Sequence, residues 1–258
     1  MIDLYTYPLW SIFVVALALI LLATELGFWI HSRVGGESES GISMLAGAIL
    51  GLLALMIGFT FSMTLSRFDA RRDAVLAEAN AIGTAALRAR LLPEPQRSES
   101  LRLLRDYVNV RLDLVEKIMS KVELASAISR SNALQESLWQ QAMMLASVDK
   151  GMLPTGIYIQ SLNDMIDSQG KRLSAIRNRM PTEVLITLFA IAAVASAFAA
   201  YATANNQRKR KLPVYTVAIL VAAVILVLLD LDRPGTGFIK VSQQPMIDAA
   251  ESIAGFVR

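Results

Sequence analysis

The sequence predicts an all-α integral membrane protein, with four transmembrane helices and a large extramembrane helical bundle inserted between spans two and three. Three observations carry that prediction. Of 258 residues, 54% are hydrophobic and the mean hydropathy is +0.47, more apolar surface than a soluble chain of this size needs for its core. The apolar residues gather in four runs, each long enough to cross a hydrocarbon layer about 30 Å thick. Between the second and third runs, residues 66–180 carry 17 Lys and Arg against 13 Asp and Glu, a density of charge that only water solvates.

Span one, residues 9–31, contains one charge, Glu25, and places Trp10 and Trp29 near its ends, where amphipathic aromatics favour the headgroup level. A Gly- and Ser-rich connection, Val34 to Ser40, leads to span two, residues 41–65, which is uncharged until Arg67. Span three, residues 181–204, opens on Pro181, at a position where a helix tolerates proline. Span four, residues 212–229, closes against Asp230 and Asp232. The chain thus divides into residues 1–65 with the first two spans, a bundle over 66–180, residues 181–231 with the last two spans, and a C-terminal tail over 232–258.

Within the bundle, apolar residues recur at helical spacing, as in Leu101, Leu104, Val108, Leu112, Val115 and Met119. Leu92-Pro93-Glu94-Pro95 stops one helix, and Gly151 to Gly156, with Pro154 inside, stops another. Long helices are expected at about 66–92, at 97–149 with a bend near Ser120, and at 157–179. Neither glycine nor proline separates Leu65 from Arg72, so span two and the first bundle helix are expected to form one rod from Gly41 to about Leu92.

Several function classes fall away at once. Cysteine is absent and His31 is the single histidine, which removes disulfides, thiol nucleophiles and the usual zinc sites. No phosphate-binding glycine loop or nucleophile elbow occurs, so no enzyme, cofactor or resident metal is expected. A net charge of +3, with both signs intermingled, leaves no nucleic-acid footprint.

The candidate functional residues lie mainly on span two. Gly47, Gly51, Gly58 and Ser62 fall, with Ala54, within about 80 degrees of one another on a helix. The pattern repeats every eleven residues and continues into Asp69 and Asp73, and such a period keeps a stripe aligned on a nearly straight helix. Small residues in a span serve either close helix packing or the lining of a pore, and both readings stay open here. Glu25, an estimated ~9 Å from His31 along the helix axis, is a candidate for an ion path together with Asp69 and Asp73. Asp230 and Asp232 are weak candidates for a hard cation, against a role in pairing with Arg233 or with bundle residues. Nine basic residues flank the spans on the bundle side, against five on the other, four of which are Arg208-Lys209-Arg210-Lys211. The balance favours a cytoplasmic bundle with both termini inside.

Two stretches resemble a known family. Gly58-Phe59-Thr60-Phe61-Ser62, then Arg67-Phe68-Asp69-Ala70-Arg71-Arg72, then Glu78-Ala79-Asn80-Ala81-Ile82-Gly83-Thr84 with Leu87-Arg88, is similar to the hallmark of the bestrophin-like domain family of bacterial membrane proteins. Asp230-Leu231-Asp232-Arg233-Pro234, with Gly237, Ile239, Val241-Ser242-Gln243 and Pro245, resembles that family's C-terminal signature. The resemblance implies a distant likeness to bestrophins: pentameric ion channels of the bilayer, with four spans per subunit and a pore lined by the second span. It implies a multi-pass protein of the bacterial inner membrane, a homo-oligomer whose partners are lipid and small inorganic ions. The calcium-binding acidic cluster of animal bestrophins has no counterpart here. Glu78, Asn80 and Gly83, on the continuation of span two, are expected to bond or closely approach neighbouring helices, or else to line a vestibule. The function expected is a passive small-ion channel, with a non-conducting ligand sensor or scaffold as the alternative.

Overall fold

In α1, Leu9–Val34, an uninterrupted apolar run leaves no competing turn. The Ser11 hydroxyl donates to the Pro8 carbonyl at 2.7 Å at its start. A computed structural model describes residues 7–34, 39–116, 121–148, 153–204, 211–235 and 237–256. It is built of helices throughout: α1, then α2 (Glu39–Ala89), α3 (Gln96–Glu116), α4 (Lys121–Val148), α5 (Leu153–Arg177), α6 (Thr182–Thr203), α7 (Lys211–Asp232) and α8 (Gln244–Phe256). Four stretches are long and apolar enough to cross a membrane: α1, the first half of α2, α6 and α7. The chain falls into two compact units, Met1–Arg67 with Arg179–Ile239, and Phe68–Asn178 with Lys240–Arg258.

In the first unit α1 packs on α6 and α7 through Ile12, Ala16, Ile20, Thr24, Gly27 and Phe28, spaced three or four apart so that they share one face. Thr24 satisfies its buried hydroxyl on the Ile20 carbonyl at 2.8 Å. Gly27 is required by contact: a Cβ built there would lie 2.2 Å from the Ala197 carbonyl oxygen of α6. Leu53 of α2 joins Leu188, Ala192, Ala222 and Ile225 in the core. The outward residues of α1, including Val15, Leu19 and Leu22, are exposed and apolar, as a lipid-facing surface requires.

In the second unit, α2 (from Phe68), α3, α4, α5 and α8 enclose a core of Ile82, Ala86, Leu104, Val108, Leu138 and Leu162. Helix α2 is 51 residues long and unbroken, about 77 Å at 1.5 Å per residue. After it, Glu94 caps α3, accepting the Ser98 N–H at 3.2 Å and the Ser98 hydroxyl at 2.7 Å.

The expected helices differ from these in three places. Residues 97–149 are not one bent helix. Tyr107 of α3 and Gln135 of α4 meet at 3.2 Å, whereas 28 residues of a single helix would hold them about 42 Å apart, so α3 and α4 are separate helices packed side by side. Helix α5 begins at Leu153, earlier than the expected 157, because Pro154 fits its first turn. The tail ends in α8, whose Met246, Ile253 and Phe256 pack onto the bundle core. Ser242 accepts the Gln244 N–H at 3.3 Å at the start of α8. The bend at Ser120, the centre of the Val34–Ser40 connection, Gly151 and the basic residues Arg208, Lys209 and Arg210 lie outside the described residues.

Candidate functional site

Helix α2 presents three faces, set by residue spacing. One is buried in its own chain: Ala46, Leu53, Thr60, Thr64, Arg71, Val75, Glu78 and Ile82 recur at three, four or seven residues. Thr60 and Thr64 keep their hydroxyls satisfied on the Met56 and Thr60 carbonyls, at 2.7 and 2.8 Å. A second face, with Leu45, Leu52, Phe59 and Met63, is bulky, apolar and exposed. The third is the small stripe. Gly47, Gly51, Gly58 and Ser62 are all exposed, and a Cβ added at any of the three glycines would meet nothing within 4 Å.

Small-residue packing within one chain is therefore not the role of this stripe. Gly27 of α1, which the sequence did not single out, does that work against α6. Asp69 and Asp73 continue the stripe and are exposed. Glu25 is exposed on α1 and accepts a hydrogen bond from the Tyr215 hydroxyl of α7. At the same end of these helices Lys211 lies over the Phe28 ring at 4.8 Å and Arg33 over Trp29 at 5.3 Å.

The bundle holds a buried polar layer. Glu78 of α2 is fully buried and receives Arg111 Nε of α3 at 2.7 Å, Arg111 Nη2 at 3.3 Å and Arg172 Nη1 of α5 at 2.5 Å. Tyr107 donates to Gln169 Oε1 at 2.9 Å, and Gln135 of α4 donates to Gln169 as well. Arg172 Nη2 reaches Gln243 Oε1, just before α8, at 3.0 Å. One layer thus ties together every segment of the bundle. Burial, reinforced by the Glu78 charge, pushes the Tyr107 hydroxyl well above its ordinary range. Burial also lowers the Arg172 guanidinium, with Glu78 opposing the shift.

The family-motif residues separate into distinct roles. Glu78 bonds α3 and α5, but Asn80 is exposed, and Gly83 approaches nothing that a Cβ would touch. Arg71 is buried, Arg67 half-buried and Arg72 exposed.

In the C-terminal signature, the Asp230 carboxylate accepts the Phe238 and Ile239 N–H groups, each at 2.8 Å. Asp232 accepts the Met180 N–H at 2.8 Å. A Cβ at Gly237 would come 2.1 Å from the Asp230 carboxylate, so glycine is needed where this loop closes. These aspartates hold backbone, and a hard cation would have to displace those hydrogen bonds. Arg233 is buried beside them and Pro234 is half-buried. Among the described residues, no three or more His, Asp or Glu side chains gather as a metal site would need.

Comparison with known proteins fixes the lineage. No curated protein matches the chain. A bacterial bestrophin homologue from Klebsiella pneumoniae has the same fold, with a TM-score of 0.68 at 13% identity, over 95% of this chain and 97% of that one. A single-residue variant of that homologue matches with a TM-score of 0.68 at 14% identity, over 95% of this chain and 98% of the other. The model of the bestrophin-like domain matches residues 12–246. The chain belongs to the bestrophin-like domain family.

Proposed function

We propose that the protein is an oligomeric channel that passes small ions passively, with α2 of each subunit around a shared axis. The observation that carries this reading is the stripe of Gly47, Gly51, Gly58 and Ser62, left bare by its own chain while another face of the same helix is buried. A span that keeps a polar-tolerant, side-chain-poor face away from its own core has a use for it outside the chain. The bulky face of Leu52, Phe59 and Met63 supplies the neighbouring contact that would set copies side by side. Asp69 and Asp73 extend the stripe beyond the span, where carboxylates would raise the local cation concentration. Glu25, already engaged by Tyr215, belongs to the α1–α7 pairing and is set aside as an ion ligand. A pentamer is the assembly that the likeness to bestrophins suggests.

The bundle is assigned to the cytoplasm of a bacterial inner membrane. The chain contains no cysteine, so a single Cys placed at exposed Ser129 reports the side directly. Labelling by an impermeant reagent in intact cells would reverse the assignment. Conduction is tested by reconstituting the purified oligomer in liposomes, with its mass measured in detergent. Flux of a small ion is expected, and a folded oligomer that passes none would favour the sensor or scaffold reading.

A further inference from the structure

The buried polar layer does not balance. Glu78, Arg111 and Arg172 are each at least 98% buried, so two guanidinium groups share one carboxylate. The Glu78 oxygens receive three of the guanidinium nitrogens and Gln243 a fourth, but Arg111 Nη1 is enclosed with no hydrogen-bond partner. Among the described residues, Glu78 is the one carboxylate that acts on Arg172 and Tyr107. Asp106 is held outside by Arg102 and Arg105, and Asp113, Asp164 and Asp167 are exposed. A net positive charge removed from water costs several kcal/mol unless an opposite charge accompanies it. The remaining neighbours, Tyr107, Gln135 and Gln169, are neutral and already bonded to one another.

We infer that the bundle core binds a small monovalent anion, chloride in the cell, on Arg111 Nη1. Such an ion supplies the missing charge and the missing acceptor together. The site lies inside the bundle and is independent of whether the protein conducts.

The test uses the full chain in detergent and follows thermal unfolding of the bundle in chloride, bromide and gluconate at constant ionic strength. A saturable rise in midpoint is expected with chloride and bromide but not with gluconate. It should reach about 3 to 6 °C once the halide is about tenfold above its Kd. Arg111→Met leaves Glu78 and Arg172 as a neutral pair, and its midpoint should no longer depend on the halide. Crystals grown in bromide should show an anomalous peak within contact of Arg111 Nη1. Equal midpoints in all three salts, a halide response retained in Arg111→Met, or density with no anomalous signal at that nitrogen would each overturn the inference, the last showing water alone. If Arg111→Met does not fold, the bromide peak in the unmodified protein decides the matter in either direction.

Discussion

Replacing Glu78 by Gln keeps the shape of the side chain and removes the carboxylate that Arg111 and Arg172 share. Three close donors are affected: Arg111 Nε at 2.7 Å, Arg111 Nη2 at 3.3 Å and Arg172 Nη1 at 2.5 Å. A carboxamide accepts through one oxygen, and its NH2 would face guanidinium N–H groups, donor against donor. Two buried cations would then face at most the anion inferred at Arg111, and breaking a buried pair from one side costs about 3–5 kcal/mol. At about 4 °C per kcal/mol for a domain of this size, the bundle's midpoint should fall by about 12–20 °C. Arg111→Met should cost less, because it removes the surplus charge and spares the Glu78–Arg172 pair. Helicity by circular dichroism, with Trp139 fluorescence in a background of Trp10→Phe and Trp29→Phe, reads the bundle directly. A midpoint within about 2 °C of the unmodified protein in Glu78→Gln would mean that the layer does not hold the bundle together, and the reasoning above would fail.

Other outcomes follow from the same structure. Gly27→Ala drives a methyl group into the Ala197 carbonyl and should cost about 3 kcal/mol, seen as a lower midpoint for the membrane unit. Gly51→Ala meets nothing in its own chain and should gain up to about 1 kcal/mol of helix propensity, so a loss of oligomer in that variant would reveal a neighbouring subunit on the stripe. Asp230→Ala strips the acceptor from two backbone N–H groups and should cost about 2–3 kcal/mol, measurable as faster proteolysis of the loop before α8. The Tyr158 hydroxyl is pushed up to about 12 by burial, from an ordinary 10.0. The unfolded chain therefore loses this proton first, and Tyr158 contributes stability below pH 10 that drains away as pH rises toward 12, on the order of 3 kcal/mol in all. Tyr158→Phe should flatten stability across that window, whereas an unchanged slope would show that Tyr158 ionises normally.

The spans were legible because lipid imposes a long, uncharged run that nothing else in the chain imitates. The rod of α2 was legible for the opposite reason: no glycine or proline interrupts the change from lipid-facing to water-facing residues. The division of the expected 97–149 helix into α3 and α4 was hidden, since no glycine or proline occurs between Gln96 and Lys150. Helix α8 passed as tail because it is only 13 residues long.

The buried layer left a signal that reading by composition overlooks. Leu101, Leu104, Val108 and Arg111 step by three and four, as do Tyr158, Leu162, Met165, Gln169 and Arg172, and Val75, Glu78 and Ile82. On each helix a polar residue occupies a position whose phase belongs to the core. In a helix already rich in charge, one more arginine reads as surface until its phase is checked. The role of the glycine stripe was undecidable from sequence, because packing within a chain and exposure to another copy demand the same small residues.

The claim that α2 lines an ion path is tested most directly by Gly58→Leu, with oligomer mass and ion flux measured on one preparation. A Cβ at Gly58 meets no atom of its own chain within 4 Å, so the fold should tolerate a larger side chain there. If several copies converge at that level, flux should fall steeply while the oligomer keeps its mass. Undiminished flux from an intact Gly58→Leu oligomer would contradict the account, and dissociation would place subunit packing, not ions, on the stripe.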